Sequence, residues 1–159
     1  TSLKIEGRMK GINYLASVVK TYRSAIDAYV SNPDNYQVQE QWREELYQVF
    51  HRAYCTGFYL DGEKQTQPNY QNHHKGRIHS FIGKVLGKID NNRYRVEVRN
   101  KICINDTIEV ISPKGKSRQA KVENIHDVNN DPIEQANPNT CAILDFEIPC
   151  RPNDIIRII

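Results

Sequence analysis

The chain has 159 residues, of which 38% are hydrophobic and 26% charged, with a formal net charge of +3. That is enough apolar material for the core of one medium domain, or of a helical segment plus a small barrel. There is no run of eighteen apolar residues and no basic, apolar, small-residue order of a signal peptide, so membrane insertion and secretion have no support and a cytoplasmic protein is the default expectation.

The opening residues, Leu3 to Met9, read as if they began in the middle of a strand. Two explanations stand side by side. Ile5-Glu6-Gly7-Arg8 before Met9 spells the recognition sequence of a common tag-removing protease, which makes it a processing remnant. Alternatively the chain is a piece of a larger protein, in which Leu3 to Ile5 form a short buried strand, Gly7 allows a sharp turn, and Arg8 and Lys10 open a helix.

That first helix is expected from about Asn13 to about Ser31. Leu15, Val18, Val19, Tyr22, Ile26, Tyr29 and Val30 recur at the i, i+3, i+4, i+7 spacing of one apolar stripe, and Asn32-Pro33 stops the helix because proline cannot continue the backbone ladder. A stripe this wide needs a large partner surface. A second helix is expected from about Val38 to Arg52, with Trp42, Leu46, Val49 and Phe50 on one side. Glu40, Glu44 and Glu45 toward its start and His51 and Arg52 near its end suit the helix dipole.

Around His51 to Gly62 helical periodicity gives way to the alternation of strands. Residues 61 to 77 are polar and carry glycine and proline, which marks a surface loop or linker. His73 and His74, with His79 close by, lack the carboxylate or thiolate partners of a real metal site, so no metal is assigned. Cys55, Cys103, Cys141 and Cys150 contain no CxxC pair and read as reduced and structural.

From Phe81 onward, strand signals come regularly: Phe81 to Ile89, Arg93 to Arg99, Thr107 to Ile111, Arg118 to Ile125, Cys141 to Phe146 and Asp154 to Ile159. Turns fall at Asp90-Asn91-Asn92, at Ser112 to Gly115 and at Asn129 to Pro132. In the second strand Tyr94, Val96 and Val98 alternate with Arg93, Arg95, Glu97 and Arg99, which gives it one wet, basic face. Six short strands at this spacing suggest a small closed barrel, because closure protects edges that so short a sheet would expose. Residues 84–121 hold ten Lys or Arg against four Asp or Glu, and residues 122–159 hold two against seven. Neighbouring strands either pair these opposite charges or leave the barrel electrically polar.

Leu3-Lys4-Ile5-Glu6-Gly7-Arg8-Met9-Lys10, Val18 to Arg23, Ala25-Ile26-Asp27, His51-Arg52 and Thr56-Gly57-Phe58-Tyr59 together resemble the C-terminal part of peptidase family U32, the collagenase-like proteases. The resemblance continues through Ile82 to Val85, Val96 to Lys101 and Asp106 to Val110. It covers nearly the whole chain and disfavours the processing-remnant explanation. It implies an α+β arrangement. A helical segment ends an α/β barrel-like catalytic domain that lies upstream, and a six-stranded β-barrel similar to the second domain of translation elongation factors follows. The expected division is 1–62 for the end of the catalytic domain, 63–79 for a linker and 80–159 for the barrel. Where relatives have a glycine before the aspartate that opens the third strand, this chain has Asn105, which also tolerates a left-handed turn.

The resemblance implies a parent enzyme of one of two kinds, a peptidase or a protein that hydroxylates RNA, including a tRNA wobble uridine. Some relatives hold cysteine-bound iron-sulfur clusters, but the paired cysteines of that signature lie upstream, and none of the four cysteines here matches them. No Ser-His-Asp, Cys-His or HExxH arrangement supports independent proteolysis. Three roles remain for this chain: an RNA-positioning module, a protein-substrate module, and a structural cap or oligomer contact. The RNA reading rests on Lys84, Lys88, Arg93, Arg95, Arg99 and Lys101, whose charges suit phosphates; Tyr94 points inward with Val96 and supplies no stacking platform. If any residue lies near the parent's chemistry it is Lys4, Glu6, Arg8 or Lys10, since reactive groups of a parallel α/β barrel gather at strand C-termini. A brace between Glu6 and Arg8 or Lys10 is the competing role. Expected partners are the catalytic domain and tRNA or another RNA.

Overall fold

The structure, a computed structural model, describes residues 2–49, 51, 54 and 80–159. Residues 2–7 belong to no ladder, and Leu3 and Ile5 are 62% and 38% exposed, so the expected strand at Leu3 to Ile5 is not formed. No described strand lies beside them to take up their backbone groups, and a lone strand is not stable. Gly7 does make the expected turn, its carbonyl accepting from the Lys10 N–H at 2.9 Å. A side chain there would collide with Leu15 at 2.5 Å.

Helix α1 spans Ile12–Ser31 and ends where the Asn32 N–H closes on the Ala28 carbonyl, ahead of Pro33. A single 3-10 turn, Pro33–Asn35, reverses the chain into α2, Glu40–Gln48. This second helix is shorter than its periodicity predicts. Val38 and Gln39 stay extended, and the chain leaves the helix at Val49, a β-branched residue that buries its side chain outside the helix. The linker over 63–79, with His73, His74 and His79, lies outside the described residues, as do Cys55, Arg52 and Phe50.

Among the described residues ten strands follow: β1 Ser80–Asp90, β2 Arg93–Val98, β3 Ile102–Cys103, β4 Thr107–Ile111, β5 Arg118–Lys121, β6 Asn124–His126, β7 Pro132–Ile133, β8 Gln135–Ala136, β9 Thr140–Asp145 and β10 Ile155–Ile158. Eight form one antiparallel sheet in the order β5-β4-β10-β1-β2-β9-β6-β7, and β3 pairs with β8. The stretch expected as one strand from Arg118 to Ile125 is two. It leaves β4 at Lys121 and joins β9 at Asn124, at the far side of the sheet order. Three residue steps cover at most about 11 Å, so the sheet is curled until its ends approach each other. The barrel inferred from edge protection is this curled sheet, and the strands beyond six are short pieces that the alternation did not reveal.

Inward positions build one core: Ile82, Val85, Val96, Val98, Ile108, Val110, Leu144 and Ile156 are all fully buried. Tyr94 points inward as predicted and stacks on Phe146 with ring centroids 4.9 Å apart. Asn105 takes φ +72°, the left-handed conformation its place before Asp106 calls for. In β4 and β10 the outward residues Ile111, Glu109, Ile155 and Arg157 are buried as well, because the helices cover that side of the sheet. A strand covered on both faces reads as a nearly continuous apolar run, as Ile155 to Ile159 does apart from Arg157.

Candidate nucleic-acid interface

The outer face of β1 and β2 carries Lys84, Arg93 and Arg95; Lys88 stands opposite the inward Tyr94, and Arg99 and Lys101 follow the end of β2. The antiparallel register places Lys84 opposite Glu97 and Arg93 opposite Asp145. The Lys84 ammonium lies 3.7 Å from the Glu97 carboxylate, to which Arg99 also donates at 2.5 Å. Arg93 reaches Asp145 at 3.3 Å and Asp90 at 3.6 Å, and it also bonds Asn130. The acidic C-terminal stretch is therefore folded back on part of the basic one: β9 brings Asp145 to β2, and opposite charges pair across strands.

Lys88, Arg95 and Lys101 are left over. All three are exposed and make no hydrogen bond or ion pair with the described residues. Arg95 stands opposite Gly87, which has no side chain to cover it. Of six predicted phosphate contacts, three are engaged within the fold and three remain available to a polyanion.

The other predicted set, Lys4, Glu6, Arg8 and Lys10, is not drawn together into a site. Lys4 pairs with Glu6 at 3.5 Å, both largely in solvent, and Lys10 sits over the Tyr14 ring at 5.2 Å. Arg8 is exposed and makes no ion pair with Glu6. Neither of the two clefts described below is lined by any of the four.

A charge cluster the sequence reading missed joins the helices to the sheet. Arg157, 2% exposed, donates to both oxygens of Glu45 on α2 at 2.9 and 2.7 Å and from Nε to Glu109 at 2.6 Å. Burial pushes the Glu45 carboxyl up, but the hydrogen bond and charge of Arg157 outweigh it and hold it below the usual carboxylate range. Lys20 of α1 borders the cluster and donates to the Ser117 hydroxyl at 3.3 Å; its own burial lowers its pKa against the pull of Glu45 and Glu109. The signal that marks this cluster in the sequence is a charge inside an apolar run, Glu109 between Ile108 and Val110 and Arg157 between isoleucines. Charges so placed are buried and paired.

Cys103, Cys141 and Cys150 are free thiols. Burial, reinforced by Asp154, pushes Cys150 up to about 12, which makes it an inert core residue. No group of three or more His, Cys, Asp or Glu among the described residues is placed to hold a metal. No helix among them is long and apolar enough to cross a membrane.

Residues 77–157 match the peptidase family U32 C-terminal domain, and residues 1–69 match peptidase family U32 itself. The chain belongs to peptidase family U32. Among its U32 relatives, tRNA hydroxylation protein P1 of Bacillus subtilis is 34% identical over 159 residues, covering 98% of this chain and 37% of that protein. A collagenase of Porphyromonas gingivalis is 25% identical over 154 residues, covering 95% of this chain and 42% of that protein. The chain thus spans about two fifths of the length of these two relatives. The C-terminal domain of a Geobacillus thermoleovorans protein described as a U32 peptidase is 23% identical, with a TM-score of 0.47, over 50% of this chain and 92% of that domain.

Proposed function

We propose that this chain is the noncatalytic C-terminal part of a U32 protein acting on tRNA, and that it positions RNA for chemistry performed elsewhere in the protein. The observation that carries the reading is that Lys88 at the end of β1, Arg95 on the outer face of β2 and Lys101 just past β2 are exposed and unpaired among the described residues, while Lys84, Arg93 and Arg99 are neutralised. Exposed cations kept free of partners suit a phosphate backbone, and they carry no sequence preference of their own. The likeness to a tRNA hydroxylation protein over nearly the whole chain supports RNA over protein as the substrate. In this reading residues 1–62 belong with the catalytic domain and 63–79 connect them to the barrel. An iron-sulfur cluster, where one is used, sits in the upstream part, and the protein works in the cytoplasm.

The test is binding to total tRNA across a salt series, with an unrelated basic protein as control. Affinity falls steeply with salt, and neutralising Lys88, Arg95 and Lys101 together reduces the slope of log K against log salt by about 2 to 3. Binding no tighter than the control at low salt overturns the reading.

A second reading is favoured by a different observation. On α1 only Val18 of the predicted stripe is buried, whereas Leu15, Val19, Tyr22, Tyr29 and Val30 are 38–72% exposed. An uncovered apolar helix side suits a cap docked against the rest of a longer protein. Slower amide exchange over residues 12–31 in a longer U32 protein than in this chain supports that role.

A further inference from the structure

Helix α1 and the β4–β5 turn meet through the Lys20–Ser117 hydrogen bond. Between them runs a groove made of two adjoining clefts, of about 780 and about 620 Å³, that share Lys20, Ser24 and Gly115. Its floor near α1 is apolar, with Val19, Ile111, Pro113 and Ile155. Charges inside it are largely satisfied: Arg157 and Lys20 balance Glu45 and Glu109, and Arg23 pairs with Asp27. What is left at the lip is Lys114 and Lys116, both exposed on the turn, against Glu44.

Trp42 lines the same cleft as Lys116. It is the chain's one tryptophan. Its ring is held against Tyr36, centroids 6.4 Å apart and planes 23° from parallel, and Tyr36 in turn meets Tyr29 edge-on at 5.5 Å. A half-buried ring packed on Tyr36, which is itself held by Tyr29, is fixed in orientation before any ligand arrives.

We infer that this groove is a site for single-stranded RNA, with Lys114 and Lys116 contacting phosphates along one lip and Trp42 stacking an unpaired base. A cationic edge beside a fixed aromatic ring is the combination single-strand binders use, and neither component discriminates among bases. A duplex, whose bases already stack on one another, has no base to offer Trp42. The inference rests on the RNA reading above but assigns a different surface, between α1 and the β4–β5 turn, to the unpaired part of the same substrate.

Because Trp42 is the only indole, its emission reports directly on the groove. The 159-residue chain is titrated with a twelve-nucleotide oligouridylate and, separately, with a duplex RNA of the same length. Saturable quenching by the single strand and little by the duplex is expected. Lys114→Gln with Lys116→Gln, both on an exposed turn, is expected to lower the salt slope by about 1.4. Trp42→Ala, followed by anisotropy of a labelled oligouridylate, is expected to weaken binding about 5-fold or more. Binding that leaves Trp42 emission unchanged, survives the two turn substitutions and is lost on neutralising Lys88, Arg95 and Lys101 overturns the groove and leaves the RNA reading standing. A preference for the duplex in the same titration also overturns it. Absence of binding to either RNA at low salt overturns both.

Discussion

Arg157, on the strand between β4 and β1, grips Glu45 of α2 with two parallel hydrogen bonds of 2.9 and 2.7 Å across 112 residues of sequence. This forked contact, extended to Glu109, is the polar joint between helices and sheet. Arg157→Leu would leave two carboxylates at the joint without their cation and is expected to cost about 3–5 kcal/mol. Glu45→Gln keeps one acceptor for the guanidinium and should cost less, about 1–3 kcal/mol. Urea unfolding with an unchanged m-value, read as a shift in midpoint, checks both.

The same joint makes the helix contact acid-sensitive. The Glu45 carboxyl is depressed in the folded state by Arg157, so its contribution is fully present above the unfolded carboxylate pKa, about 4.3, and is lost as pH falls through the lower folded value. Trp42 sits on α2, so its emission should shift in this acid window. In Glu45→Gln that shift should be absent.

Gly83 lies in β1 with its α-carbon against β2, where an added methyl would meet the Glu97 carbonyl at 2.1 Å. Backbone cannot step aside without breaking the ladder. Gly83→Ala is therefore expected to destabilise by about 1–3 kcal/mol. Gly87→Ala, in open space on the same strand, should stay within about 0.5 kcal/mol of the parent. Equal losses at both positions in thermal melts would contradict the close approach at Gly83.

Asn105, at φ +72°, should accept glycine at little cost, whereas Asn105→Ala should lose about 1 kcal/mol. Side-by-side denaturation of the two variants measures the difference.

Alkylation followed by peptide mapping should modify exposed Cys141 early and buried Cys150 only on unfolding. The Cys150 thiol, pushed up to about 12 by burial, has almost no thiolate at neutral pH.

Much of the barrel was legible because strand alternation is a local property. Thr107–Ile111 is a strand over the residues its pattern marks, and Tyr94 faces inward with Val96 as its alternation requires. Asn105 was legible through the turn geometry its residue type permits. Partner choice is not local. Nothing between Arg118 and Ile125 announces that the chain changes neighbours at Val122, and nothing near Leu3 tells whether a strand lies alongside. Half of the basic patch dissolved for the same reason, since Asp145 is 52 residues from Arg93 in sequence and beside it in the sheet. The groove at Trp42 was invisible because its two walls are separate in sequence and only the fold brings them together.

The sheet order places β10 between β4 and β1, although it follows both in sequence by more than forty residues. During synthesis, β1 and β4 must wait with open edges until Ile155–Ile158 emerge from the ribosome, so the barrel cannot be completed strand by strand as translation proceeds. A message broken off before Ile155 would yield not a slightly smaller domain but two unjoined sheet fragments, each offering an unpaired edge to whatever nascent chain lies nearest.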